Sequence, residues 1–218
     1  MHTKRIAVGG VKGVKWTATP RGPHRRGESM PLVDVIKELG FADNTREARK
    51  IIVGGLVSVD GERCKKLNHG VGLMDIVSLP SLKKDWRIVP RKNGLIINEI
   101  SHKDAKLKPC RVKVKRLLPK GVMQVTVHDG YAFNTDKKYS VNDMLVFEIP
   151  GRKVVEVVPF ATGCSAIVVS GRHRGKTGEI KEIVKGSAAR KSLTTVGDSQ
   201  TLTDYVFVTG KGKPVVEV

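Results

Sequence analysis

No aspartate or glutamate occurs before Glu28, while seven Lys or Arg are spread over the same 27 residues, MHTKRIAVGGVKGVKWTATPRGPHRRG. So little large apolar surface cannot offset the backbone entropy of ordering, so this head is expected to lack structure on its own. Aromatic residues are scarce, 5% of 218, which suits small β-rich cores better than one large core. No apolar run approaches the roughly 20 residues of a membrane span. The head has no apolar core of a secretory signal, and its Gly and Pro argue against an amphipathic membrane helix. Cysteine is limited to Cys64, Cys110 and Cys164. These are too isolated for a disulfide framework or a zinc cluster, and each reads as a small buried hydrophobe in a reducing compartment. The six histidines build no HExxH or comparable spacing, and GxxxxGK[ST] is missing. His128 and Asp129, adjacent on a turn, point apart and have no nucleophile beside them. The expectation is a chain without catalytic residues, metal, cofactor, obligate small-molecule ligand or membrane partner.

What is present in excess is positive charge: 40 Lys plus Arg against 21 Asp plus Glu, a net +19. A field of this size gathers anionic partners at long range, and a large polyanion is the natural one. The charge is segmental. Residues 31–79 hold seven basic and seven acidic side chains, 82–120 thirteen and three, 121–160 four and five, and 161–218 nine and five. Alternating basic and balanced blocks imply several small modules with chosen contact faces. In the head, Lys12, Lys15, Arg21, His24, Arg25 and Arg26 are placed to meet phosphates. Glycine there permits close backbone approach, and Trp16 is suited to stacking on a base or ribose.

PLVDVIKELG, from residue 31, has apolar residues at helical spacing, with Pro31 in the first turn and Gly40 as the stop. Asn44 and Glu47 have capping-box spacing for a second helix. That helix has an Ala48, Ile51, Ile52 stripe and carries Arg46, Arg49 and Lys50 on its other faces, where arginine can pair bidentately with phosphate. A strand, a tight Asp60-Gly61 turn and a return strand follow, then a short strand at 74–79. In the middle, RIVPRKNGLIINEI predicts a hairpin turning at Asn93-Gly94, with Pro90 placing its first strand at a sheet edge. CRVKVKRLL predicts a strand with Val112 and Val114 on an apolar face and Arg111, Lys113 and Lys115 on a cationic face, with Arg116 beside them. Strands at 123–127 and a hairpin through Pro150-Gly151 complete a barrel-like β domain. Near the end, glycines 171, 175 and 178 frame Arg172, His173, Arg174 and Lys176 in a basic loop between two strands.

NTREARKIIVGGLVSVDGE resembles the small RNA-binding module of the S4 superfamily. That resemblance implies that Arg46, Arg49 and Lys50, and after the hairpin Lys65 and Lys66, face RNA. The strand–glycine loop–strand of 163–183 resembles the KOW motif of small barrels. The order of parts, with GPHRRGESMPL, GLMDIVSL, TVHDG and VFVTGKGKP, is similar along the whole chain to the archaeal and eukaryotic "e" type of small-subunit ribosomal protein four. The resemblance implies a multidomain α+β fold, mostly β. Its expected parts are a basic extended segment (1–30), an S4-like helix-pair module (31–80), a central β-barrel-like domain (81–160) and an SH3-like KOW barrel (161–218). It also implies a structural constituent of the small ribosomal subunit, cytoplasmic, whose partners are small-subunit rRNA and neighbouring ribosomal proteins. The alternatives are a KOW-bearing transcription or chromatin factor, which leaves the basic head unexplained, and an RNA-modifying enzyme, which would need a large catalytic domain.

Overall fold

The computed structural model describes residues 18–92, 94–187 and 190–215. Lys12, Lys15, Trp16 and Asn93 lie outside them. The first part holds β1 (Ser29–Pro31), α1 (Leu32–Glu38), α2 (Thr45–Val53), β2 (Ser58–Val59), β3 (Glu62–Arg63), β4 (Gly70–Gly72) and β5 (Ile76–Leu79), then the long hairpin β6 (Lys84–Arg91) and β7 (Gly94–Ile100). The middle holds β8 (Leu107–Leu117), β9 (Met123–Val127), β10 (Ala132–Thr135), β11 (Met144–Glu148) and β12 (Lys153–Val158). The last part holds β13 (Cys164–Val168), β14 (Thr177–Val184), β15 (Leu193–Val196), β16 (Ser199–Leu202) and β17 (Val206–Lys211).

The helices form for local reasons. Pro31 caps α1 in an extended conformation, and Gly40 takes the left-handed φ of +74° that follows the helix. In α2 the Asn44 side chain accepts from the Glu47 amide at 3.0 Å. Glu47 reaches back to accept from the Asp43 amide at 3.1 Å and from the Asn44 side chain at 2.8 Å. Ala48 and Ile52 are buried against α1 and the strands, with Leu32, Val33, Val35, Ile36 and Trp86 in the same core.

The fold is mostly β and multidomain, with a curled half-barrel sheet. Three five-stranded sheets have the orders β3-β2-β5-β6-β7, β10-β9-β8-β11-β12 and β16-β15-β14-β13-β17, and β1 pairs with β4. In the last sheet β16 and β17 stand at opposite edges. The 84–100 hairpin joins the sheet of the helix-pair module, so the line between residues 80 and 81 falls inside a continuous sheet.

Three sequence expectations are corrected. Strand β6 is interior, between β5 and β7, not an edge strand. Proline is tolerated there because β5 pairs with β6 only over Lys84–Arg87, so on that side Pro90 lies beyond the partner's end. The apolar alternation of Val112 and Val114 also breaks. A register shift between them leaves Val112 buried and Val114 40% exposed. The described end of the head is likewise structured. From residue 18 to residue 31 it is an arm laid on the body: the Arg21 amide donates to the Asn68 carbonyl at 2.7 Å, and β1 pairs with β4.

The parts share cores. Met74 from the first part and Met144, Val146 and Val158 from the middle pack with Ala166, Ile167, Ile180 and Phe207 of the last. At one joint the backbones nearly touch. Gly175 has φ +79°, and a methyl group there would sit 2.9 Å from Arg91 Cα and 3.0 Å from Lys92 N. The glycine loop therefore presses on the β6–β7 turn. Gly175→Ala combines a left-handed backbone with an overpacked contact, and should cost about 2–4 kcal/mol in urea unfolding. Stability equal to wild type would show that this joint gives way freely.

Candidate nucleic-acid interface

The helix α2 turns Ala48 and Ile52 inward, which leaves Arg46, Arg49 and Lys50 exposed on its outer faces. Lys65 and Lys66, just past β3, are exposed too. Along the arm, Arg21, Arg25 and Arg26 are exposed. On β8, Lys115 and Arg116 face solvent and Lys113 is half-buried. In the 171–176 loop Arg172 and Lys176 are exposed, with His173 and Arg174 half-buried; the Lys176 Nζ donates to Ser199 Oγ at 2.8 Å. Exposed positive charge thus stands on five segments of one packed body: the arm, α2, the stretch after β3, β8 and the 171–176 loop.

Two expected phosphate contacts are engaged elsewhere. His24 is buried, its Nε2 2.8 Å from Asp75 Oδ2. Burial alone would lower its pKa, but the Asp75 carboxylate outweighs it and holds the imidazole above its ordinary value. This side chain pins the arm and does not face outward. The Arg111 guanidinium donates to the carbonyls of Asp204 at 2.7 Å and Val206 at 3.0 Å, tying β8 to the C-terminal domain. Both corrections have one cause: a cation in a basic stretch was drawn inward by an acceptor from a distant segment.

The most consequential charge is one that the sequence hides. Lys108, in the middle of the basic run, is buried, and its Nζ donates to Asp60 at 2.6 Å, Asp75 at 2.7 Å and Asp129 at 3.0 Å. The three aspartates come from the β2–β3 turn, the lead into β5 and the β9–β10 turn. Arg152 adds longer contacts to Asp60 at 3.7 Å and Asp129 at 3.6 Å, and its guanidinium lies over the Tyr131 ring. Backbone amides complete the shell: Ile76 to Asp60, Gly72 to Asp75 and Tyr131 to Asp129. Burial raises Asp75 and Asp129, but Lys108 together with His24 at Asp75, and with His128 and the Tyr131 amide at Asp129, outweighs it and holds both below the usual carboxylate range; at Asp60 burial prevails and the pKa rises. Lys108 itself stays charged, because the aspartates overcome its desolvation.

Beside this cluster, His128 is held neutral. Its Nδ1 accepts from the Arg111 amide at 3.2 Å, so its Nε2 carries the proton and donates to the Leu73 carbonyl at 2.9 Å. Burial and the nearby cations push its pKa down to about 3.

A helix pair that carries exposed Arg46, Arg49 and Lys50 and packs on a short sheet points to the class of S4-domain proteins. Comparison with known families agrees: residues 30–77 match the S4 domain and residues 82–154 match Ribosomal family S4e. The chain is 36% identical to the small ribosomal subunit protein eS4 of Methanothermobacter thermautotrophicus, over 95% of this chain and 89% of that protein. It is 35% identical to the eS4 of Methanocella arvoryzae, over 99% and 97%. The crystal structure of the 30S ribosomal protein S4e from Thermoplasma acidophilum is similar with a TM-score of 0.76 at 29% identity, covering 84% of this chain and 96% of that one. The chain belongs to the eS4 family of small-subunit ribosomal proteins, and it is a structural protein and not an enzyme.

The buried charges set both the stability of the fold and its dependence on pH. Lys108→Met leaves three interior carboxylates without their lysine and should cost about 3–5 kcal/mol in urea unfolding. A smaller loss than Lys115→Ala would contradict its role. Native His128 stays unprotonated between about pH 6.5 and 3 while the unfolded histidine binds a proton, so stability falls with acidification across that window. His24 acts above it: its raised pKa stabilises the fold below about 6.5, and that contribution is lost as pH rises through the folded value. Asp60 opposes the acid-side loss. The two histidines therefore lower stability on opposite sides of about pH 6.5, with His69, also raised, acting in the same direction as His24, each single proton contributing a slope of at most about 1.4 kcal/mol per pH unit. His24→Gln should flatten the alkaline limb alone; an unchanged limb in that variant would remove His24 from the account.

Proposed function

We propose that this chain binds small-subunit rRNA through several basic modules, as a structural constituent of the small ribosomal subunit that supports assembly and translation. The observation that carries the reading is the display of exposed cations on the arm, α2, β8 and the 171–176 loop of one packed body. Such side chains meet phosphates, while fixed positions on helices and strands select RNA shape. The same reading takes neighbouring small-subunit proteins as partners and the cytoplasm as the location. No helix among the described residues is long and apolar enough to cross a membrane.

The reading assigns four functional segments. Residues 1–30 are the basic arm, in which Lys12, Lys15 and Trp16 join Arg21, Arg25 and Arg26. Residues 31–80 are the S4-like module, with Arg46, Arg49, Lys50, Lys65 and Lys66. Residues 81–160 are the central β domain, with Lys113, Lys115 and Arg116. Residues 161–218 are a KOW domain of the SH3-like barrel type, with Arg172, His173, Arg174 and Lys176. The strand–glycine loop–strand from β13 to β14 supports that last assignment.

Arg46→Ala with Arg49→Ala should leave the fold intact, since both side chains are exposed. Binding to an rRNA transcript should weaken, and the slope of log affinity against log salt should fall by roughly 0.7–0.9 for each phosphate that is no longer neutralised. An unchanged slope would make those arginines plain surface charge. The chain should also co-sediment with salt-washed small subunits at one copy each, and its absence there would overturn the function.

A further inference from the structure

Between the arm, β8 and the C-terminal domain lies a cleft of about 530 Å³. Four cations line it, Arg25, Arg111, Lys113 and Arg174, against two carboxylates, Glu28 and Asp204. The cations are crowded and partly desolvated. Burial lowers the Lys113 amine, and Arg25 and Arg111 push the same way; burial lowers Arg111 and Arg174 as well. The Nε atoms of Arg111 and Arg174 are buried, with no hydrogen-bond partner among the described residues. Excess positive charge in such a setting is relieved by an anion.

The rest of the wall mixes polar His24, His128, Asn142 and Ser170 with an apolar stretch. Val114 and Val141 are 40% and 46% exposed, and Tyr205 stands beside them. The Tyr205 ring is braced against Gly171, where a methyl group would lie 3.0 Å from its Cδ2. Cationic and apolar walls in one concavity suit a molecule that carries a phosphate at one end and a flat ring at the other. The volume lies within the roughly 300–1,000 Å³ of sites that enclose small ligands. An RNA duplex cannot enter a space of this size, and plain contact with a duplex backbone needs no enclosure. Unpaired RNA offers the matching group, since its splayed bases settle on aromatic side chains while arginine and lysine hold the phosphate.

We propose that this cleft holds one unpaired nucleotide of the RNA strand, its phosphate met by Arg25, Lys113 and Arg174 and its base laid against Tyr205 and Val141. This rests on the rRNA-binding reading above and adds to it a subsite that reads single-stranded structure.

The test uses the full chain and a small-subunit rRNA transcript carrying 4-thiouridine. Val141→Trp fills the cleft without removing charge. It should weaken binding about tenfold, the size expected when one base loses its stacking surface, and leave the salt slope unchanged. Lys113→Ala opens the cleft instead, and should weaken binding while lowering the slope by roughly 0.7–0.9. Photo-crosslinks should map to peptides containing Val141 or Tyr205 and to an unpaired nucleotide. Wild-type affinity in Val141→Trp, or crosslinks from this cleft to paired nucleotides only, would overturn the proposal. Uridine monophosphate is the control for the other source of the same chemistry. Saturation by it at micromolar concentration, with no competition from rRNA, would mark a free-nucleotide site and overturn it too. If the wild-type chain binds no rRNA, the function itself fails and the subsite with it, a result visible before any variant is made.

Discussion

The architecture depends on a lysine that is not in water. Lys108 Nζ lies within 3.0 Å of three carboxylates from three different turns. No two of those turns need meet for local reasons. Desolvating one ammonium and three carboxylates is costly, and their mutual attraction offsets it only when geometry and backbone donors are all in place. His24, Lys108 and Arg152 stand against Asp60, Asp75 and Asp129, so the joint pairs three basic with three acidic side chains inside a molecule of net charge +19. Placing the arm, the helix-pair module and the central domain against that joint sets where the outward cations stand.

The joints elsewhere are built by close approach. Pro23 of the arm packs on Gly130, where a methyl group would lie 2.5 Å from the Pro23 carbonyl oxygen. The C-terminal core borrows side chains from both earlier parts, and Arg111 ties β8 to the carbonyls of Asp204 and Val206. Packed cores and interdomain hydrogen bonds of this kind resist relative motion of the parts, whereas thin polar linkers would allow it. A body held in one arrangement can present phosphate contacts at fixed separations, which is how a protein that reads shape discriminates between RNAs.

What was legible in the sequence was local. Asn44 with Glu47, the stop at Gly54-Gly55 and the Asp60-Gly61 turn, with φ of +50° and +77°, are set by residues within a few positions of each other. What was not legible depended on distant partners. Nothing near Lys108 distinguishes it from Lys106 or Lys113; its burial follows from aspartates 21, 33 and 48 residues away. His24 sits in GPHRRG and reads as one more basic residue until Asp75 is placed beside it. Pro90 reads as an edge signal, but how far β5 extends along β6 decides whether a proline is tolerated. The basic faces were visible as segments of charge, while the cleft shared by Arg25, Lys113 and Arg174 required the arm, β8 and the last domain to be folded together.

The spacing of the charged cluster along the chain also bears on the order of events during synthesis. His24, Asp60 and Asp75 leave the exit tunnel before Lys108 does, and Asp129 and Arg152 leave after it. The helix-pair module therefore emerges before Asp60 can meet Lys108, a contact available only once β8 has been made. Domains generally fold from the N-terminus as they appear. Here the charge cluster of the first one is complete only when the middle of the chain supplies Lys108 and Asp129, which ties its last contacts to the synthesis of that middle part.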